Sequence, residues 1–282
     1  MSDDAAPTTA PSDAIPGLLR VAPGSTVDLA AIDPGGTPGF DGRKQAGRAR
    51  LKELRGELRD FQRRLWAEKE RSLLIVLQAL DAGGKDGAIR RVFTAFNPQG
   101  TLVSGFGVPT DVELAHDFLW RIHARTPAKG QIGIFNRSHY EDVLIVRVRG
   151  LVPEPVWQAR YDQINDFEAR LAASGTVILK FFLHISRDEQ RARFVKRLDN
   201  PDKRWKFRTG DLEVRERWDA YRAAYEDVLA RCSTPEAPWF VVPANHKWYR
   251  DLALAEIVAE TGRRLDPQYP APEEDLSGVT ID

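Results

Sequence analysis

A chain of 282 residues with 42% hydrophobic and 29% charged residues is long enough to bury a core and too apolar for wholesale disorder. Its 41 Lys+Arg balance 41 Asp+Glu, which excludes a global field for nucleic acid or an anionic membrane. Cys232 as the sole cysteine and five scattered histidines exclude a disulfide framework and a structural zinc site, and no apolar run reaches the ~20 residues of a membrane span.

Residues 1–40, rich in Pro, Gly, Ala, Thr and Asp, read as an extended, partly disordered arm. Their acidic opening is unlike a signal peptide, so the chain reads as soluble and cytoplasmic, with no nucleic-acid or membrane partner. From Gly42 to Arg71, Leu51, Leu54, Leu58, Phe61 and Leu65 recur at helical spacing and predict an amphipathic helix. Its span 43–71 holds 11 basic and 5 acidic residues. Ser72–Ala79 is an apolar run suited to a strand buried on both faces.

Beyond it, strand and helix alternate. The pattern predicts a helix over Gly84–Phe96, a strand over Leu102–Phe106 and a helix opened by a Thr110–Glu113 capping box. A strand over Ile132–Phe135 and a helix over Val156–Ala172, stopped by Gly175, come next. Thr176–Ile185 is the longest strand candidate, and Ser186–Glu189 forms a second capping box. A last strand, Trp239–Val242, precedes a helix capped by Asn245 and ending near Gly262. This order predicts an α/β three-layer sandwich around a central, mostly parallel five-stranded sheet. The catalytic domain spans 41–265, and an acidic tail without Lys or Arg covers 266–282.

Asp81-Ala82-Gly83-Gly84-Lys85-Asp86-Gly87 joins the first strand to a helix. In that context backbone N–H groups cradle phosphate and Lys85 reaches across to it. The match to G-x-x-x-x-G-K-[ST] is incomplete, because the first glycine falls on Ala79 and Asp86 replaces the hydroxyl that would hold Mg²⁺. Asp81 is the carboxylate placed to hold the metal instead. Arg90 and Arg91 follow, and with the basic 43–71 helix they are candidates to line a polyanion's path. The plainer alternative is a glycine-rich strand-to-helix turn.

A second constellation, Asn136-Arg137-Ser138-His139-Tyr140-Glu141-Asp142, follows the Ile132 strand. P-loop proteins carry an acidic metal ligand at the end of a neighbouring strand. Here that place falls to neutral Asn136, so Glu141 or Asp142 supplies the charge, and Asp81, Asn136 and Glu141 are the metal candidates. Arg137 would offset charge on a transferring phosphoryl group. The alternative is a helix N-terminus with a surface ion pair. His139 has no partner fixed by sequence and reads as structural. Residues 187–217, with 11 basic and 7 acidic residues broken at Pro201, read as a helical lid carrying Arg197, Lys203, Arg204 and Arg208, or else as a solvated hairpin. Trp218, Tyr221 and Tyr225, at helical spacing, read as core-facing.

The segments LQALDAGGKDGAIRRVF, FNRSHYEDVLIVRV, FFLHISRDEQRARFVKRLDNPDKRWKF and WFVVPANHKWYRDLAL resemble the polyphosphate kinase 2 family over about residues 38–265. The resemblance implies a P-loop kinase fold, dependence on Mg²⁺ with Mn²⁺ as a substitute, and reversible phosphoryl transfer between inorganic polyphosphate and nucleotides. By position, Asp81 and Lys85 match the family's phosphate-loop acid and lysine, Arg137 its second-motif arginine, and Lys203, Arg204 and Arg208 its lid. Asn136 stands where many members carry Asp. Asn-Arg-Ser-His-Tyr-Glu is similar to the class III subgroup, which phosphorylates AMP and ADP toward ATP. Guanine nucleotides as further acceptors and a homo-oligomeric state are additional expectations. Two other readings stay open: an ATP-dependent nucleoside monophosphate kinase, disfavoured by the missing hydroxyl after Lys85, and a non-catalytic polyphosphate-binding protein.

Overall fold

The computed structural model describes residues 14–281 apart from 208 and 209. Its strands are β1 (Ser72–Gln78), β2 (Thr101–Gly105), β3 (Ile132–Asn136), β4 (Thr176–His184) and β5 (Trp239–Pro243). They form a five-stranded sheet in the order β2-β3-β1-β4-β5, every neighbouring pair parallel. Successive side chains of a strand point to opposite faces, and the apolar runs supply both. Leu73, Ile75 and Leu77 of β1, with Leu179, Phe181 and Leu183 of β4, enter one core with the Lys44–Glu68, Lys85–Val92 and Lys247–Leu265 helices. Leu74, Val76, Ile178 and Phe182 enter the other, against the Glu154–Ala173 and Trp218–Cys232 helices. Each fully buried Leu, Ile or Phe contributes about 1.5–3 kcal/mol. The predicted three layers are therefore present, and the sheet is wholly parallel.

Several boundaries differ for local reasons. The helix expected over Gly84–Phe96 is a Lys85–Val92 helix followed by a 3-10 turn at Phe93–Ala95. Gly262 does not stop the last helix, which runs on to Leu265. A Cβ there would stand 2.8 Å from Phe61 Cγ, so the glycine lets two helices touch. Asn245 does not cap that helix either. Its Oδ1 accepts the Ser186 N–H at 3.0 Å and its Nδ2 donates to Ser186 Oγ at 3.2 Å, stapling the end of β5 to the Arg187–Leu198 helix. The Thr110–Glu113 capping box forms in full. Of the second box only half forms, with Ser186 Oγ accepting from Glu189 N–H while Glu189 turns to Arg193.

The expectation of an extended arm is corrected for residues 14–40. A short helix, Ala14–Leu19, and the turns after it place Ile15, Leu19, Val21 and Leu29 in the two cores. Val21 N–H donates to the Trp239 carbonyl at 2.9 Å, so this segment covers the outer flank of β5. Its Pro and Gly residues shape turns, and a few spaced apolar residues suffice to pin it. Residues 1–13 lie outside the described part. Among the described residues no helix is long and apolar enough to cross a membrane.

Candidate active site

Parallel strands place their C-terminal ends on one edge of the sheet, where ligands of such folds bind. β1 delivers the phosphate loop there and β3 delivers Asn136 and Arg137. Two residues of the loop have left-handed backbone, Ala82 at φ 61° and Gly84 at φ 104°. A Cβ on Gly83 would lie 2.4 Å from Ala79 Cβ, so the tight turn demands glycine. The loop's carbonyls are tied from behind. Arg193 Nη1 donates to the Ala82 and Gly83 carbonyls at 2.9 and 3.0 Å, Gln190 Nε2 to the Asp81 carbonyl at 3.0 Å, and Arg250 Nη1 to the Gly84 carbonyl at 3.2 Å. The first N–H groups of the Lys85–Val92 helix have no partner within the helix, and they open at this edge.

The charged side chains expected here do converge. Lys85 is buried and donates to the Ala79 carbonyl at 2.9 Å. Arg137, at φ 64°, continues the ladder through its N–H to the Leu77 carbonyl and donates from Nη2 to Asp81 Oδ1 at 3.0 Å. Asn136 Nδ2 donates to Asp86 Oδ1 at 2.9 Å. Gln78, buried at the end of β1, satisfies two neighbours at once when its amide nitrogen faces Glu141 Oε1 at 3.0 Å and its oxygen the Ser138 N–H at 3.2 Å. Burial pushes the Lys85 pKa down, with Arg137 adding to it, against Asp81, Glu141 and Asp86. Burial pushes the Glu141 pKa up, against Arg137 and Lys85. An arriving phosphate would reverse the pressure on Lys85, because an adjacent anion favours the ammonium.

Among the described residues no three His, Cys, Asp or Glu side chains gather as a cage for a metal ion. Magnesium needs no such cage, since it is commonly held by one or two carboxylates plus substrate phosphates. Asp81 beside the loop and the Asn136 amide oxygen, whose nitrogen is engaged by Asp86, are hard oxygen donors that fit this arrangement. Glu141 is the second carboxylate within electrostatic reach of Asp81.

Other expected residues are placed elsewhere. Arg91 pairs with Asp251, and Arg90 is exposed on the outer flank. Gly87, by contrast, stays at the site, since it lies in the first turn of the helix after the loop and its N–H is among those that open at this edge. Asp142 pairs with Arg160 Nη1 at 3.1 Å, which leaves Glu141 as the acid of that segment facing the loop. Arg197 stands 3.5 Å from Asp211 and over the Phe194 ring, Arg204 Nε donates to the Leu198 carbonyl at 2.7 Å, and Lys203 is exposed. Arg208 lies outside the described residues. His139 is fully buried on Glu168, in keeping with a structural reading, and Tyr221 and Tyr225 are buried. Of the two arginines that hold the loop, Arg193 belongs by sequence to the cations of the 187–217 lid segment and not to the loop, and Arg250 is no sequence candidate. The signal for Arg250 was an Arg-Asp pair inside an otherwise apolar helix face, where a charge is tolerated only when paired.

Residues 41–268 match the model of the family described as polyphosphate kinase 2. The chain belongs to the polyphosphate kinase 2 family. It is 54% identical over 263 residues to a Meiothermus ruber protein named AMP/ADP-polyphosphate phosphotransferase, covering 93% of this chain and 98% of that one. Identity is 43% over 268 residues with a Rhodopseudomonas palustris protein named ADP-polyphosphate phosphotransferase, covering 89% and 91%. The crystal structure of polyphosphate kinase 2 from Arthrobacter aurescens TC1 superposes with a TM-score of 0.91 at 43% identity, covering 95% of each chain.

In this polyphosphate kinase 2 chain, Gly84 gives a direct test of the loop. An added Cβ would meet Arg250 Nη1 at 2.1 Å, on a backbone at φ 104° that disfavours side chains. Gly84→Ala is expected to lower kcat/KM by about 10²-fold through misplacement of the loop. Steady-state kinetics beside a melting curve will check that the loss exceeds what unfolding explains.

Proposed function

We propose that this protein transfers phosphoryl groups from inorganic polyphosphate to AMP and ADP, making ATP in an Mg²⁺-dependent and reversible reaction, with guanine nucleotides as further acceptors. The observation that carries the acceptor reading is the near full-length similarity to a relative named for both AMP and ADP. A terminal phosphate oxygen of the acceptor attacks the terminal phosphorus of polyphosphate in line, and the shortened polyphosphate leaves. The attacking oxygen is already anionic and needs no strong general base, so positioning and charge compensation supply the catalysis. Lys85 and the loop N–H groups hold the transferring group, and Arg137, oriented by Asp81, offsets charge between donor and acceptor. Asp81, Asn136 and Glu141 would hold Mg²⁺, or Mn²⁺ in its place, which supplies further charge neutralisation at the phosphates.

Residues 187–217 would act as the lid, with Arg197, Lys203, Arg204 and Arg208 moving toward phosphate. The base of that lid is fixed by Arg193 and Gln190, so closure would begin beyond Phe194. A homo-oligomeric state and a cytoplasmic location belong to the same reading, and light scattering tests the former. The deciding experiment is ATP production from purified protein, Mg²⁺ and polyphosphate, with ADP and AMP supplied separately. ATP from both acceptors is the expected result. ATP from ADP alone removes the AMP assignment, and phosphorylation of AMP only when ATP is the donor would hand the site to a nucleoside monophosphate kinase.

A further inference from the structure

The Lys44–Glu68 helix sorts its side chains by charge around its circumference. Leu54, Leu58, Phe61 and Leu65 form the buried face. Glu53 and Glu57 lie to one side of it, engaged by Arg50 and Arg263. Lys44, Arg48, Lys52, Arg55, Arg59 and Arg63 recur every three or four residues on the other side. At ~100° per residue they fall within about 100° of arc, in a stripe about 28 Å long. Lys44, Arg48, Lys52, Arg59 and Arg63 are exposed and have no ion-pair partner among the described residues. By contrast Arg50 and Arg64, off the stripe, pair with Glu256 and Asp266. Like charges at i,i+4 destabilise a helix, so a stripe kept unpaired calls for an anionic occupant.

Its position names that occupant. Gly47, near the helix start, packs against Trp248 at the start of the last helix, on the sheet edge that carries the phosphate loop. Midway along, Arg55 Nη2 donates to Thr94 Oγ1 at 3.0 Å, and Thr94 Oγ1 donates to the Arg90 carbonyl at 2.9 Å. Arg90 is the exposed cation on the helix that the phosphate loop opens. The stripe therefore starts beside the loop and runs down the outer flank of the sandwich, joined at Thr94 to the loop's own helix.

We infer that this stripe binds the distal part of a linear polyphosphate whose terminal unit sits in the phosphate loop. The inference rests on the proposed polyphosphate donor. A nucleotide is too short to follow a track of this length, whereas a flexible chain with one charge per unit can.

The test is the quadruple variant Lys44→Gln, Arg48→Gln, Lys52→Gln, Arg59→Gln, whose side chains are all exposed; Arg55 is spared because it holds Thr94. KM for long-chain polyphosphate is expected to rise about tenfold or more, with a shallower dependence on salt, because fewer counterions are released on binding. KM for tripolyphosphate, KM for ADP and kcat should not change. Equal shifts for long and short donors, or no shift, would overturn the stripe. Wild-type protein that makes no ATP from any polyphosphate overturns the proposed reaction instead, and calorimetric titration with long-chain polyphosphate still reads the stripe, expected tight in wild type and weak in the variant. Tighter binding of single-stranded DNA than of polyphosphate through the same four residues would make it a nucleic-acid surface and sink the proposal.

Discussion

Lys85→Ala is expected to lower kcat by about 10³-fold, the upper range for removing one preorganised electrostatic donor, while leaving the melting temperature unchanged or raised. The two halves of that expectation share one cause. Lys85 is buried, and among the described residues its side chain donates only to the Ala79 carbonyl. Burial and Arg137 both disfavour its charge in the free enzyme, so the protein gives up stability to keep an ammonium at this spot. Removing it relieves that penalty and removes the cation that an incoming phosphate would meet. Kinetics with polyphosphate and ADP beside a thermal melt separate the outcomes. Full activity would mean that Lys85 only braces the loop, and a collapsed melting temperature would mean that the Ala79 contact is a structural keystone.

The same contrast between local and distant causes explains what could be read from the sequence. β1 and its loop were legible because everything they need is adjacent: an unbroken apolar run, then glycines and a lysine. The convergence of Asp81, Lys85, Arg137 and Glu141 was legible because parallel topology brings the residues after β1 and after β3 to one edge. Arg193 and Arg250 were not, since their partners are loop carbonyls 110 and 166 residues away and a carbonyl leaves no trace in a side-chain pattern. The Asn245 staple failed to show for the opposite reason. Its sequence suits a helix cap, and the tertiary contact with Ser186 won. In residues 14–40 a loop-like composition concealed four core side chains, because the periodicity that marks an element is absent when isolated residues plug a sheet flank.

Glu168→Leu is expected to destabilise the fold by about 3–5 kcal/mol, the effect of stripping one partner from a buried ion pair. Glu168 and Lys180 are 1% and 0% exposed, between the Glu154–Ala173 helix and β4. Lys180 also donates to Tyr140 Oη at 2.8 Å and to the Cys232 carbonyl at 2.6 Å, and Glu168 Oε1 accepts from Tyr140 and His139. Leucine would leave the Lys180 charge without a counter-ion in an apolar layer. Pairing it with Lys180→Met removes that orphan charge, so the double variant should lose less than the two single losses combined, as urea unfolding in a double-mutant cycle will show. Additive losses would mean that the two residues stabilise the fold independently. Burial pushes the Glu168 pKa up, but Lys180 and His139 outweigh it and hold the carboxylate below its ordinary range. A depressed folded-state value gives stability that is present above the unfolded pKa and lost as pH falls through the folded one, so the acid limb of the wild-type stability curve should flatten in Glu168→Leu. Tyr140 and His139 sit between Arg137 and Glu141 in sequence, so this pair also fixes the segment that carries both.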